Sequence, residues 1–111
     1  MLKKLFRWFA GPGARESVDC TRLQVVLYTR QGCHLCEAAL HTVDEVRTSY
    51  PFTLSVIDVD SDLQLRDRFG EEVPVVMVNG KVRFRGRVNR ALLQRLLYAE
   101  GRRRAPAAGE D

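Results

Sequence analysis

The chain has 111 residues, of which 45% are hydrophobic and 29% charged, and its formal net charge is +4. This length and apolar content suit one domain with an ordinary hydrophobic core. Three cysteines are too few, and odd in number, for a secreted scaffold held by disulfides, and no stretch reaches the roughly 20 apolar residues that a membrane span requires.

The cysteine content and the N-terminal sequence indicate the cellular compartment of the protein. A low cysteine content fits a reducing compartment. The N-terminus, MLKKLFRWFAGPGA, superficially resembles a secretion signal, but Arg7 interrupts its apolar run, which would need about 7–15 residues. We therefore expect a soluble, cytoplasmic protein. Its positive charge permits attraction to anions, but no nucleic-acid-binding pattern accompanies it, so we expect no nucleic-acid partner.

Residues 1–21 form the first predicted segment, an N-terminal extension. Four apolar residues have helical spacing and precede a glycine–proline break at residues 11–13: Leu2, Leu5, Phe6 and Phe9. A short helix packed on the domain, a frayed end and an anchor on a membrane or partner all fit this pattern.

A strand–helix–strand unit follows the extension. The β-branched run LQVVLY, residues 23–28, predicts a buried strand, and a helix should extend from about Cys33 to about Thr48. FTLSVIDV, residues 52–59, predicts a second strand. Because a helical crossover joins the two strands, we expect them to be parallel.

A short helix and a third strand are predicted next. The helix covers residues 63–69, with Asp60 or Ser61 as its N-terminal cap and Gly70 at its end. VPVVMV, residues 73–78, then predicts a third strand.

A hairpin and a final helix complete the domain. Asn79-Gly80 is a strong hairpin signal, and residues 81–85 should return as a fourth strand, with Val82 and Phe84 on one face. Asn89 should cap a helix over residues 90–99.

The order βαβαββα predicts an α/β domain over residues 22–100, with a central, mixed, four-stranded sheet and helices on both of its faces. Residues 101–111, GRRRAPAAGED, read as a disordered basic tail.

Cys33 and Cys36, in the stretch RQGCHLCEAAL, are the residues most suggestive of chemistry. The predicted order places Cys33 where a strand ends and a helix begins, and a helix N-terminus stabilises a thiolate. With C-x-x-C spacing, Cys33 would attack a substrate disulfide and Cys36 would resolve the mixed disulfide. A protonated His34 would add to the stabilisation of the thiolate.

Val73-Pro74 is a second feature, independent of the cysteines, that suggests a functional site. A proline at the start of a central strand is unusual, because it cannot donate a hydrogen bond to the sheet. We therefore predict a cis bond here, which would present the backbone of Val73 to an extended peptide.

Other interpretations of the cysteines remain. Cys33 and Cys36 could be ordinary helix residues, or half of a zinc site, for which Cys20, His34 and His41 are the remaining candidate ligands. We expect no metal. Cys20 has no partner by spacing and is interpreted as a spare thiol or a regulatory cysteine.

Five basic residues cluster around the hairpin and the turn that follows it: Lys81, Arg83, Arg85, Arg87 and Arg90. They fit a solvated strand face, and they also fit a docking surface for an acidic protein. Nucleic acid is not favoured, because no aromatic platform is interleaved with them.

The motifs VVLYTRQGCHLC, VIDVD and VPVVMVNG, with Gly86 before a capped helix, resemble the glutaredoxin family of the thioredoxin fold, in particular the small glutaredoxin-like proteins of prokaryotes. The resemblance covers about residues 22–99. It implies a thiol–disulfide oxidoreductase that acts on protein disulfides or glutathione mixed disulfides, with glutathione as a reductant, and we expect a monomer.

The resemblance also assigns roles to individual residues. It makes Cys33 the nucleophile and Cys36 the resolving thiol, and places Arg30 where the family holds a glutathione carboxylate. Val73 and Pro74 would clamp the peptide part of glutathione. With glutathione as the ligand, the basic cluster also fits a docking surface for its carboxylates.

This sequence departs from the family between the cysteines and after the hairpin. His34-Leu35 replaces the family's Pro-Tyr, and Gly86-Arg87-Val88-Asn89 stands in place of Gly-Gly-x-Asp, so that Asn89 offers an amide instead of a charge. These departures support an alternative function, a non-enzymatic thioredoxin-fold module that binds a partner, a metal or an iron–sulfur cluster through its cysteines.

Overall fold

The computed structural model describes residues 19–110, and their side chains as far as Arg102. Most of the predicted N-terminal extension, residues 1–18, lies outside this range. The elements follow the predicted order βαβαββα: β1 Gln24–Thr29, α1 His34–Arg47, β2 Thr53–Asp58, α2 Leu63–Phe69, β3 Val75–Val78, β4 Lys81–Arg85 and α3 Arg90–Glu110, with a 3-10 turn at Val59–Ser61.

The four strands form one mixed sheet in the order β2-β1-β3-β4. β1 and β2 are parallel, as the helical crossover between them requires, and pair from Gln24↔Thr53 to Thr29↔Asp58. β3 is antiparallel to both β1 and β4. The predicted mixed, four-stranded sheet is therefore confirmed.

Apolar side chains lie on both faces of the sheet. The main core packs α1 and α3 against one face, and its fully buried members include Leu27, Val43, Val76, Leu93 and Leu97. A smaller core lies under α2 on the other face and contains Val59, Phe69 and Val75. Alternation along the strands explains this division, because successive side chains point to opposite faces. The prediction of helices on both faces is confirmed.

The β3–β4 hairpin turns at Asn79 and Gly80, whose φ angles of 51° and 85° are those that a tight two-residue turn requires. A register shift follows, since Phe84 pairs with Val76 but Val82 pairs with Met77.

The extra residue of this bulge is Arg83. It interrupts the alternation of β4, so that the side chains on either side of it point to opposite faces of the sheet. Phe84 packs on the main core and Val82 on the smaller one. The prediction that Val82 and Phe84 share a face is therefore wrong.

The cap of α2 also differs from the prediction. The carboxylate of Asp62 accepts the N–H of Gln64 at 2.8 Å and so caps this helix. Asp60 and Ser61, the predicted caps, are instead part of the 3-10 turn, which is itself capped by Asp58. The 3-10 turn delays the start of α2 and moves the cap along the chain.

The start of α3 is as predicted, because the side chain of Asn89 accepts the N–H of Leu92 at 2.9 Å. Its end is not: α3 continues to Glu110, whereas the sequence predicted a helix ending at Ala99 and a disordered tail from Gly101. Arg102, Arg103 and Arg104 follow Gly101, and the high helix propensity of arginine favours continuation past this glycine. Within the described residues, no helix is long and apolar enough to cross a membrane.

Candidate redox site

Cys33 lies at the N-terminus of α1, at one end of the sheet. β1 ends at Thr29, and the loop that follows includes Gly32, whose φ of 73° is a conformation that favours glycine. Cys33 then has an extended backbone and acts as the N-cap, since its Sγ accepts the N–H of Cys36 at 3.1 Å. The strand-to-helix position predicted for Cys33 is confirmed.

Cys33 and Cys36 form a disulfide, with their Cα atoms 5.1 Å apart. Residues three apart in a helix lie on the same side of it, which brings the two sulfurs together. Cys36 is only 3% exposed, whereas Cys33 is partly exposed. The two sulfurs are therefore not equivalent, and it is Cys33 that a disulfide outside the protein can reach.

The Val73–Pro74 bond is cis, as predicted. Val75 pairs with Tyr28, so continuation of the antiparallel register places Pro74 opposite the end of β1, near the loop that leads to Cys33. The carbonyl of Pro74 accepts the N–H of Gly86 at 2.8 Å. The proline, the cysteine loop and the turn after β4 therefore meet at the same end of the sheet.

Arg30 is held by contacts within the protein. Its guanidinium donates to both carboxylate oxygens of Asp60, at 2.9 and 3.0 Å, and to the carbonyl of Gly70 at 2.9 Å. The hydrogen bonds from Arg30 lower the pKa of Asp60. Three of the five guanidinium donors are used in this way, and one N–H on each terminal nitrogen remains for other acceptors.

A cleft of about 260 Å³ lies between α1 and the turn after β4. Its lining consists of Leu35, Ala38, Ala39, Thr42, Gly86, Arg87, Val88 and Asn89. The cleft includes Leu35, one of the two residues between the cysteines, and the predicted site residue Asn89. Sequence reasoning missed this cleft because it forms only where α1 meets the turn after β4, two segments more than 40 residues apart in the chain.

Most arginines of the basic cluster have acidic partners. Arg83 pairs with Glu100 at 3.5 Å and Arg85 with Glu72 at 2.9 Å, while Arg90 pairs with Glu45: three contacts that join separate elements. Among the residues whose side chains are described, none forms an ion pair with Arg87 or Lys81.

Of the three candidate zinc ligands, His34 lies between the two cysteines, whereas Cys20 and His41 lie away from them. Cys20 precedes β1 and Cys33 follows it, and a six-residue strand is roughly 20 Å long. Cys20 is 1% exposed, and its thiol donates to the carbonyl of Leu97 at 3.6 Å. His41 lies two turns along α1, beside Glu45 at 3.1 Å. In the part of the chain that the structure describes, no three His, Cys, Asp or Glu residues are grouped as metal ligands.

Comparison with known proteins agrees with this geometry. Residues 24–98 match the family described as "Glutaredoxin-like domain (DUF836)". The chain is 33% identical over 73 residues to the "Glutaredoxin-like protein YDR286C homolog" of Dictyostelium discoideum, an alignment that covers 60% of this chain and 68% of the relative.

Solved structures show the same fold. A structural genomics target protein from X. campestris, XcR50, superposes with a TM-score of 0.58 and 26% identity, over 68% of this chain and 96% of that one. A mutant thioredoxin from Halobacterium salinarum superposes with a TM-score of 0.59 and 18% identity, over 82% and 86% of the two chains. The fold is the thioredoxin fold, and the chain belongs to the glutaredoxin-like domain (DUF836) family.

Proposed function

We propose that this protein is a thiol–disulfide oxidoreductase of glutaredoxin type, whose reacting groups are Cys33 and Cys36. The observation that carries the proposal is the position of the disulfide: a partly exposed Cys33 at a helix N-terminus, bonded to a buried Cys36. Two cysteines without a redox role would not have to differ in exposure. Disulfide exchange requires one sulfur that a substrate can reach and one that is protected from it.

The first step is attack by the reduced protein on a substrate disulfide. The N–H of Cys36 and the positive end of the α1 dipole favour the thiolate of Cys33. This thiolate bonds to one substrate sulfur and the substrate S–S bond breaks. The other substrate sulfur leaves as a thiolate and takes a proton from solvent.

The second step is resolution by Cys36. The Cys36 thiol gives up its proton, its sulfur attacks Sγ of Cys33, and the bond from Cys33 to the substrate breaks. The second substrate sulfur leaves and is protonated. Two electrons have passed from the protein dithiol to the substrate, and the protein is left with the disulfide seen in the structure.

We further propose that glutathione can reduce this disulfide. One glutathione thiolate would attack Cys33 and free Cys36, and a second would attack the mixed disulfide to give glutathione disulfide and the reduced protein. The backbone of Val73, the two remaining donors of Arg30 and the amide nitrogen of Asn89 are available to bind glutathione at this end of the sheet.

The proposal is tested by the stoichiometric reaction of the reduced protein with bis(2-hydroxyethyl) disulfide, followed by thiol titration and intact mass. We expect Cys33→Ser to react no faster than an unstructured thiol, Cys36→Ser to stop at the mixed disulfide on Cys33, and the Cys20→Ala control to match the wild type. A wild-type rate in Cys33→Ser would contradict the proposal and favour the non-enzymatic binding module.

A further inference from the structure

We propose that the cleft between α1 and the turn after β4, called here the α1 cleft, docks protein substrates beside their disulfide. An apolar side chain of the substrate enters the cleft, and a neighbouring acidic side chain pairs with Arg87. The inference rests on the proposed function, because it states which disulfides are brought to Cys33.

The position of the α1 cleft fits this role. Leu35, which stands between the two cysteines, is part of its lining, so the cleft begins beside the disulfide. Ala38 and Thr42 line it further along α1. With a rise of 1.5 Å per residue, the helix carries this surface about 10 Å away from Leu35, which equals the length of about three extended residues.

The size and lining of the α1 cleft favour a side chain over a whole small molecule. Its volume of about 260 Å³ is below the roughly 300–1,000 Å³ of small-molecule pockets. Leu35 is 39% exposed although it is apolar, and Val88 is another apolar residue of the lining. A substrate residue that covers these side chains removes their apolar surface from water.

Arg87 gives the α1 cleft a preference for substrates with an acidic side chain. The other three arginines of the basic cluster are each neutralised by a glutamate, whereas no acidic side chain of the described residues pairs with Arg87. Arg87 is exposed, and it lines the cleft. An unpaired cation at the edge of an apolar cleft complements a substrate segment that has an apolar residue next to an acidic one.

The test uses three blocked peptides, AELCLEA, AKLCLKA and AESCSEA, each joined through its cysteine to 2-mercaptoethanol. The second-order rate constant for reduction by the reduced protein is measured for wild type, Arg87→Glu and Arg95→Glu. Arg95 is an exposed arginine of α3 that does not line the α1 cleft, so its variant is the matched control for the change in charge.

We expect the wild type to reduce AELCLEA about five- to tenfold faster than AKLCLKA, which is the scale of one exposed ion pair gained or reversed. AESCSEA should also be slower than AELCLEA. Arg87→Glu should abolish or reverse the preference for the acidic peptide, and Arg95→Glu should retain it. The preference should weaken at high salt.

Three other results would overturn the inference. Equal rates for the acidic and basic peptides, in a wild type that does reduce bis(2-hydroxyethyl) disulfide, would remove the docking role and leave the proposed function intact. If Arg87→Glu slows oxidation by glutathione disulfide as much as it slows reduction of AELCLEA, the α1 cleft takes glutathione instead of a protein. A wild type that reduces no disulfide would refute the proposed function, and the inference with it.

Discussion

The guanidinium of Arg30 grips the carboxylate of Asp60 through two hydrogen bonds, of 2.9 and 3.0 Å. A third donor holds the carbonyl of Gly70 at 2.9 Å. Asp60 lies just before α2 and Gly70 just after it, so Arg30 fastens the loop that leads to Cys33 to both ends of this helix. Because this contact between guanidinium and carboxylate is bidentate, it fixes the relative orientation of the two side chains as well as pairing their charges.

Asp60→Ala removes the contact with Arg30, and Arg30→Ala removes both that contact and the hydrogen bond to Gly70, so Arg30→Ala should have the larger effect. The double variant should be little worse than Arg30→Ala, because both changes break the Arg30–Asp60 contact. We expect a modest fall in the unfolding midpoint and a lower rate of disulfide exchange in each variant. The measurement is a double-mutant cycle on both quantities. A rise in the KM for glutathione in Arg30→Ala alone would show that Arg30 binds glutathione directly.

The cap of α2 gives a second prediction. Asp62→Ala removes the carboxylate that accepts the N–H groups of Gln64 and Leu65, and it should lower the free energy of unfolding by about 1 kcal/mol. Asp67→Ala changes an exposed aspartate within the same helix and is the control, with little expected effect. Equal losses in urea denaturation would show that the cap contributes nothing beyond surface charge.

Leu92 and Leu93 offer a matched pair on α3. Leu93 is completely buried against the sheet, whereas Leu92 is 50% exposed. Leu93→Ala should lower the free energy of unfolding by about 2 to 5 kcal/mol because it leaves a cavity. Leu92→Ala should change it by less than about 1 kcal/mol. Chemical denaturation of both variants checks the placement of α3, and a larger loss from Leu92→Ala would contradict it.

Cys20 predicts a dependence of stability on alkaline pH. Burial, and to a lesser extent the charge of Asp19, raise the pKa of its thiol above the ordinary value of 9.0. A raised pKa in the folded state gives a contribution that is fully present below the unfolded pKa and is lost as pH rises through the folded pKa.

The free energy of unfolding of the wild type, measured with the Cys33–Cys36 disulfide intact, should therefore fall relative to that of Cys20→Ala between about pH 8 and pH 10. Urea denaturation of the two oxidised proteins across this range supplies the measurement. A constant difference would mean that Cys20 ionises as readily in the folded protein as in the unfolded one.

Local sequence patterns were enough to predict the order of the elements and the position of the cysteines. The β-branched run before Arg30, the helical spacing after Cys33 and the turn at Asn79-Gly80 are each encoded within a few residues. The cis bond before Pro74 was also predictable, because proline disrupts the ladder of a central strand wherever it occurs.

Features that depend on distant parts of the chain were not predictable in the same way. The bulge at Arg83 arises from how β4 pairs with β3, and the alternation within β4 gave no sign of it. The contact between Arg30 and Asp60 joins residues 30 positions apart. The α1 cleft needs both a helix and a turn that the sequence places more than 40 residues later.

The central claim is that Cys33 and Cys36 are a working redox pair. Its most direct test equilibrates the reduced protein with glutathione buffers of graded potential, quenches in acid, and measures intact mass for wild type and Cys36→Ser. We predict that the wild type reversibly loses two hydrogens and that the variant traps one glutathione on Cys33. If both proteins stay fully reduced across the whole range, or if they bind metal instead, the claim is wrong.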